Sequence, residues 1–248
     1  MDKDGLLSTN FKEGYKKYFT FLTEIKKRLF VLAAIFVVST FVGFFYYERI
    51  INLILGTLNF TGVNIVFTSP FQFFTLAINT GILVGLIVTF PIILFQLLFF
   101  LKPALTKKEY KLIVTLIPVT LLLFIIGFIY GVAIMKYIVT IFYQKSVELK
   151  IGTLLDINLL LSKIILTGSF MGIAFEYPIV MTVLMRLKVI KYEVFTRQRF
   201  VAYSVAIIFA AFLPPTDLLS LIFLTIPLLM LFELTLLLNK VLLKSHLI

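Results

Sequence analysis

Cysteine is absent from the 248-residue sequence, and histidine occurs once, as His246 near the C-terminal end. The lack of cysteine excludes disulfide bonds and thiolate metal sites. A single terminal histidine argues against a histidine-based catalytic or metal site. The sequence also contains no GxxxxGK[ST] phosphate-binding loop, no HExxH motif and no serine–histidine arrangement. We therefore expect a protein that is not an enzyme and that uses no cofactor.

Charged residues are scarce, at 14% of the chain, whereas hydrophobic residues make up 61%. Soluble domains are about a quarter charged and about half apolar. The composition is instead typical of an integral membrane protein, whose apolar side chains face lipid as well as each other. Because backbone N–H and C=O groups must form hydrogen bonds within the protein inside the bilayer, we expect an all-α, multi-pass fold. We expect no nucleic-acid partner.

Six apolar segments are candidates for crossing the membrane, whose hydrocarbon core is about 30 Å thick. They are Leu29–Tyr47, Phe71–Leu101, Leu112–Met135, Ile157–Met185, Phe200–Leu213 and Leu218–Leu238. Pro91 and Pro178 interrupt the two long ones, where tilting or bending is expected. The fifth segment is short, since its residues rise only about 21 Å. The PPT sequence at 214–216 predicts a tight turn, which makes the last two spans a hairpin.

Lysine and arginine are distributed unequally between the two sides of the membrane. Eighteen lie in the termini and the connections on one side, and four lie in the connections on the other. The positive-inside rule therefore places both termini in the cytoplasm. In residues 1–28, apolar and aromatic side chains recur at helical spacing among lysines, which predicts an amphipathic helix on the inner membrane surface. Residues 29–238 are then the six-helix transmembrane domain, and 239–248 are a cytoplasmic tail.

Glu176 is an acidic residue in the middle of an apolar run, two residues before Pro178. It lies about 13 Å along the helix from the cytoplasmic end of its span, too deep for a short side chain to reach water. Lys163 lies on nearly the opposite face of the same helix and cannot neutralise it. Ionisable residues inside a membrane are functional candidates by default. We expect Glu176 to be hydrated, protonated or paired with another chain.

The other acidic residues have simpler interpretations. Glu233 lies near the cytoplasmic end of the last span, and Asp217 follows the PPT turn, where it can cap the last helix. Glu24 can pair with Arg28 one helical turn later. One alternative stays open at this point, a proton-coupled small-solute transporter that uses Glu176 and Glu233 as proton carriers. Unequal span lengths and the lack of an internal repeat argue against it.

Four fragments of the sequence resemble, in the same order, the motifs of the TatC family, the multispanning core of the twin-arginine (Sec-independent) protein translocase. FLTEIKKRL (21–29) is similar to its HLxELRxRL motif, and GIAFEYP (172–178) to its G..FE.P motif. SPF (69–71) with FPIILFQLLFFLKPALTKKEYK (90–111), and PPTDLLSL…IPLLMLFE (214–233), resemble two further blocks. The chain departs from these motifs at Phe21, Lys26 and Leu221.

The resemblance implies a receptor for folded proteins that carry an N-terminal signal with paired arginines. Such a receptor assembles with small single-span subunits of the TatA/TatB type, is homo-oligomeric in its receptor complex, and exports its cargo with the proton-motive force. Its membrane is a prokaryotic plasma membrane, with an organellar membrane left open.

The resemblance also implies two groups of functional residues. Paired arginines need carboxylates that accept bidentate hydrogen bonds. The expected signal-peptide site comprises Glu24, Lys26, Phe100 and Glu109. The expected intramembrane and partner contacts are Glu176, Pro178, Asp217 and Glu233.

Overall fold

The computed structural model describes residues 3–58, 64–66, 69, 71–100, 106–150 and 154–244. Helices dominate these ranges. In chain order they contain α1 (Lys3–Phe45), α2 (Tyr47–Leu58), β1 (Asn64–Val66), α3 (Gln72–Phe100), α4 (Lys107–Glu148), β2 (Leu154–Asp156), α5 (Ile157–Ala174), α6 (Tyr177–Arg186), α7 (Tyr192–Arg197), α8 (Arg199–Phe212) and α9 (Leu218–Lys244).

Five helical segments in the described ranges are long and apolar enough to cross a membrane. They are Leu22–Phe45, Gln72–Gln96, Val114–Glu148, Ile157–Arg186 and Leu218–Val241. The fourth consists of α5 and α6 together. The remaining predicted span, the fifth in chain order, corresponds to α8, which is apolar but shorter, at 14 residues. The six predicted spans, including the short fifth one, are therefore confirmed as helices.

The N-terminal segment is helical, but it is not a separate element. α1 runs unbroken through the first span. The reason is visible in the sequence, since neither glycine nor proline occurs between Gly14 and Gly43. The boundary expected at residue 28 lies inside α1, and the boundary at 238 lies inside α9. Neither boundary corresponds to a break in the structure, and the surface location of the N-terminal residues stays a prediction.

Glycines allow α1 and α3 to pack closely. A Cβ atom built on Gly81 would lie 2.7 Å from the Thr40 carbonyl oxygen, and one on Gly85 would lie 2.3 Å from Thr40 Oγ1. Both distances are too short for a side chain. The GILVG sequence at 81–85 therefore serves the close helix approach that small-xxx-small patterns permit.

A second close crossing joins α4 to α5. Here GFIYG (127–131) on α4 faces GSFMG (168–172) on α5. A Cβ on Gly131 would lie 2.8 Å from the Gly168 Cα, and one on Gly127 would lie 2.6 Å from the Met171 carbonyl oxygen. This crossing lies directly before the end of α5 and so fixes the position of the bend that follows.

Tyrosine hydroxyls connect α9 to its neighbours. Pro227, inside α9, has no N–H, so the Phe223 carbonyl four residues earlier lacks its intrahelical donor. The Tyr130 hydroxyl of α4 donates to that carbonyl oxygen at 2.7 Å. The Tyr177 hydroxyl of α6 donates to the Leu228 carbonyl oxygen. The proline thus creates an acceptor that a side chain of another helix uses.

A short parallel strand pair was not predicted from the sequence. β1 pairs with β2, with Ile65 opposite Leu155. Asp156 at the end of β2 caps α5, where it accepts the Leu159 N–H at 3.0 Å, and it also accepts a hydrogen bond from the Gln72 side chain of α3. The strand pair and the Gln72–Asp156 hydrogen bond together hold the start of α3 next to the start of α5.

Candidate functional site

A cavity of about 600 Å³ opens where α1 enters its span beside the end of α3. Its walls contain two acceptor-bearing side chains, two cations and three apolar residues. The lining residues are Glu24, Lys27, Arg28, Val31, Phe95, Gln96 and Phe99. Those on α1 follow Glu24 by three, four and seven positions, which is the spacing of one helix face. Helical periodicity alone therefore brings them to the cavity.

Glu24 and Arg28 form an ion pair in this cavity. Arg28 Nη2 lies 2.6 Å and Nε lies 3.2 Å from Glu24 Oε1. Arg28 Nη1 also donates to the Gln96 backbone carbonyl at 3.0 Å. The Glu24 side chain is 49% exposed and that of Arg28 is 28% exposed. The carboxylate is therefore accessible to a ligand, although a guanidinium of the same chain already contacts it.

Gln96 offers a second acceptor in the same cavity. Its Oε1 atom is buried and has no hydrogen-bond partner among the described residues. Such unpartnered polar atoms are uncommon in folded proteins, because each costs free energy. Together with Glu24, it gives the cavity two acceptors for a cationic group that carries several N–H donors. Phe95 and Phe99 add an aromatic wall.

The expected signal-peptide residues are brought together only in part. Glu24 lines the cavity. Lys26 is exposed and does not line it, because two positions along a helix turn a side chain to nearly the opposite face. Phe100 is the last residue of α3 and Glu109 lies in the first turn of α4. The side chains of these two lie outside the described part of the structure, so their role in the site stays a prediction.

Sequence reasoning did not identify Gln96 as a site residue. A signal for it was present, since Gln96 is the only polar residue between Phe90 and Leu101. A lone side-chain amide in an apolar helix needs a hydrogen-bond partner, and a bound ligand is one such partner. Lys27 and Val31 were also recognisable from their helical spacing to Glu24.

Glu176 lies at a break between α5 and α6, as the proline predicted. α5 ends at Ala174, and Pro178 occupies the first turn of α6. The backbone polar groups at the break are satisfied. The Glu176 N–H donates to the Ile173 carbonyl at 3.1 Å, and its own carbonyl accepts the Ile179 N–H at 3.0 Å. The bend is therefore well formed, and the side chain alone needs explanation.

The Glu176 side chain is buried, with 1% of the residue exposed. The backbone of Phe124 on α4 approaches the carboxyl group, yet neither carboxyl oxygen completes a hydrogen bond within the described ranges. Burying such a group without donors is costly. Whether Glu176 is hydrated, protonated or paired with another chain, the three expected states, stays a prediction. The side chain is enclosed, and a ligand reaches it only if a neighbouring helix moves.

Glu233 and Asp217 have structural partners. The Tyr203 hydroxyl of α8 donates to Glu233 Oε1 at 2.6 Å, and Arg199 Nη2 lies 3.5 Å from Glu233 Oε2. Glu233 thus ties α8 to α9. Asp217 caps α9, because it accepts the Ser220 N–H at 2.8 Å and the Ser220 hydroxyl. Contacts of these two residues with another subunit stay predictions.

Comparison with known proteins gives consistent matches. Residues 20–227 match the family model of the Sec-independent protein translocase protein (TatC). The chain is 29% identical over 238 residues to TatCy of Bacillus subtilis (strain 168), covering 94% of this chain and 92% of that protein. It is 32% identical over 218 residues to TatC of Listeria innocua serovar 6a, covering 86% and 87%.

A solved structure gives the same match at the level of the fold. The chain is similar to a crystal structure of the twin arginine translocase receptor TatC, with a TM-score of 0.76 and 25% sequence identity. The match covers 89% of this chain and 98% of that chain. A second crystal structure of that receptor, in DDM, gives a TM-score of 0.78 at the same identity.

Proposed function

Because this chain belongs to the TatC family and is therefore a component of the Sec-independent protein translocase, we propose that it is the subunit that binds twin-arginine signal peptides. The family is one of translocase components and not of enzymes. The chain is a multi-pass protein of the plasma membrane, in agreement with its apolar helices and its bacterial relatives. Its cargo would be folded proteins that carry such a signal.

The observation that carries the proposal is the pair of acceptors in the cavity between α1 and α3. Glu24 supplies an accessible carboxylate, and Gln96 Oε1 supplies a carbonyl oxygen that no described residue contacts with a hydrogen bond. A guanidinium has five N–H donors in a planar fork, which suits two acceptors better than the compact ammonium group of lysine does. Phe100 and Glu109 are proposed as further members of the site.

Signal-peptide binding to the purified protein in lipid nanodiscs tests this proposal. A fluorescent peptide with paired arginines is titrated, and the same peptide with paired lysines serves as the reference ligand. Glu24→Gln should weaken binding of the arginine peptide by about ten-fold or more, because a charge-assisted hydrogen bond is lost. Glu193→Gln removes the same charge from an exposed residue outside the cavity and should have little effect. Unchanged binding by the Glu24 variant would contradict the assignment.

We also propose that the buried Glu176 is a contact for another subunit of the translocase. A TatC-family protein acts in a complex with other Tat subunits, and we expect single-span TatA/TatB-type helices at this site. The support is the buried carboxyl group at the α5–α6 break, which completes no hydrogen bond within the described ranges. A polar group of a partner helix would supply the missing hydrogen bonds. Binding of a partner helix to Glu176 would require a neighbouring helix of this chain to move. We propose this movement as the step that the proton-motive force drives.

The alternative of a proton-coupled small-solute transporter is not supported. It needs Glu176 and Glu233 as a pair of proton carriers. Glu233 is instead paired with Tyr203 and Arg199, and the family is one of protein translocases.

A further inference from the structure

Arg28 occupies the place that an arginine of a signal peptide would take. Two of its nitrogen atoms contact Glu24 Oε1, at 2.6 and 3.2 Å, and the third donates to the Gln96 carbonyl at 3.0 Å. All three nitrogen atoms of the guanidinium are thus in use. The group bridges α1 and α3 across the cavity in which the ligand is expected.

From this geometry we infer that Arg28 is an internal occupant of the arginine site, and that a signal peptide binds by exchanging its guanidinium for that of Arg28 on Glu24. The inference rests on the proposed function, since it assumes that Glu24 receives a signal arginine. It adds a residue that competes with the ligand and does not contact it. After the exchange, Arg28 keeps its contact with the Gln96 carbonyl or turns to solvent.

The exposure of the pair makes such an exchange feasible. Ion pairs between exposed residues one helical turn apart are weak, because water competes and side-chain freedom is lost. A closed pair of this kind is favoured over the open one only by about two- to five-fold. The Glu24 and Arg28 side chains are 49% and 28% exposed, so they belong to this class. A fully buried pair would instead resist displacement.

A free carboxylate at this location would also attract other cations. Lys27 lines the same cavity, and Lys26 lies on the same helix. Arg28 holds the carboxylate next to Gln96 until a ligand with better geometry arrives. Competition of this kind lowers the affinity of every ligand for the site by the same factor. It therefore raises the ligand concentration needed for binding and leaves the preference for arginine over lysine unchanged.

Removing Arg28 should therefore tighten signal-peptide binding. In nanodiscs, Arg28→Gln should lower the Kd of the paired-arginine peptide by about three- to six-fold, because the closed pair raises the Kd by one plus its ratio to the open pair. The paired-lysine peptide should gain by the same factor. Lys27→Gln is the matched control, because it removes the same charge from the same cavity wall without breaking the pair. General charge repulsion would instead make both variants tighten binding equally, and that result would overturn the inference.

A background lacking Glu24 separates this inference from the proposed function. In Glu24→Gln, the further change Arg28→Gln should give no additional tightening, since nothing remains to be exchanged. If Glu24→Gln weakens binding and Arg28→Gln weakens it too, Arg28 positions Glu24 and the inference fails, while the proposed function stands. If Glu24→Gln binds normally, the proposed function itself fails. Arg28→Lys keeps the charge without the fork and should tighten binding less, and it replaces Arg28→Gln if that variant does not fold.

Discussion

At the scale of single residues, sequence reasoning found the carboxylates and missed what surrounds them. The Glu24–Arg28 pair follows from spacing along one helix, and the structure contains it. Lys26 is exposed on another face of α1 and does not line the cavity, so its role in the site stays a prediction. Gln96 was missed because its role depends on α1 and α3 lying side by side, a contact between residues far apart in sequence. Burial of Glu176 depends likewise on α4.

Gln96 should contribute to binding at the expense of stability. Gln96→Met keeps the length of the side chain and removes the buried acceptor, which has no hydrogen-bond partner in the part of the chain that the structure describes. Without a ligand, the variant should be more stable by about 1 kcal/mol, because an unsatisfied polar atom is lost. The same change should weaken binding of the paired-arginine peptide by about three- to ten-fold. Thermal unfolding and peptide titration in the same detergent measure both effects.

Gln198→Met is the control for this prediction. Gln198 is exposed between α7 and α8 and does not line the cavity. Gln198→Met should change neither the stability of the protein nor its affinity for the paired-arginine peptide. A Gln96 variant that loses stability and binding together would indicate a packing role in place of an acceptor role.

Glu176 should act through polarity and shape and not by carrying protons. Glu176→Gln keeps both and should retain more than about half of the export activity, whereas Glu176→Leu should fall below about a tenth, since a hydrogen-bonding group is lost. The assay is export of a folded twin-arginine reporter in cells that lack their own homologue. If both variants are equally inactive at normal membrane levels, a titrating role is favoured, because glutamine cannot bind and release protons.

At the scale of elements, the apolar segments predicted the helices but not their full lengths. The third predicted span ends at Met135, and the helix that contains it, α4, continues to Glu148. The charged residues after Met135 limit the apolar segment that predicts a membrane span, but charged residues are compatible with a helix that continues. The β1–β2 pair joins segments about 90 residues apart, each of three residues, and so short a strand has no periodicity to recognise. α2 was missed for a related reason, because it is too short to be a span.

The glycine crossing between α4 and α5 should be sensitive to a single methyl group. Gly131→Ala places a Cβ 2.8 Å from the Gly168 Cα, a backbone atom that cannot move alone. We expect a loss of about 1–3 kcal/mol in the free energy of unfolding, as for other overpacked interiors. Gly56→Ala on α2 is the matched control, since no atom of the described residues beyond its own helix turn and chain neighbours lies within 4 Å of its new Cβ. That variant should be neutral or more stable by about 0.5–1 kcal/mol.

Denaturant titrations of both variants in one detergent test this difference. Equal stability of the two would show that the α4–α5 contact tolerates separation. If Gly131→Ala also reduces export while peptide binding is unchanged, the crossing matters for the position of the α5–α6 break and not for the cavity between α1 and α3.

At the scale of the whole molecule, the structure gives the helices of the described ranges, and the distribution of charge predicts their direction across the membrane. Eighteen lysines and arginines are expected on one side and four on the other. Moving these charges across a membrane is costly, so the bias should fix the orientation.

Both termini should lie in the cytoplasm, and this can be tested by reporters that are active on only one side. Three fusion sites are chosen from the structure so that no helix is interrupted, namely Lys150 after α4, Val189 between α6 and α7, and Thr216 before α9. The fourth is the C-terminal residue of the sequence, Ile248. Fusions at Val189 and Ile248 should report the cytoplasm, and those at Lys150 and Thr216 the outside.

The pair Val189 and Thr216 is the most demanding part of this test, because only α8 separates the two sites across the membrane. α8 has 14 residues and so rises only about 21 Å, less than the hydrocarbon thickness. We nevertheless expect it to cross, since local thinning of the bilayer costs only fractions of a kcal/mol for each ångström of mismatch. The same sidedness at these two sites would mean that α8 does not span, and the C-terminal fusion would then report the outside.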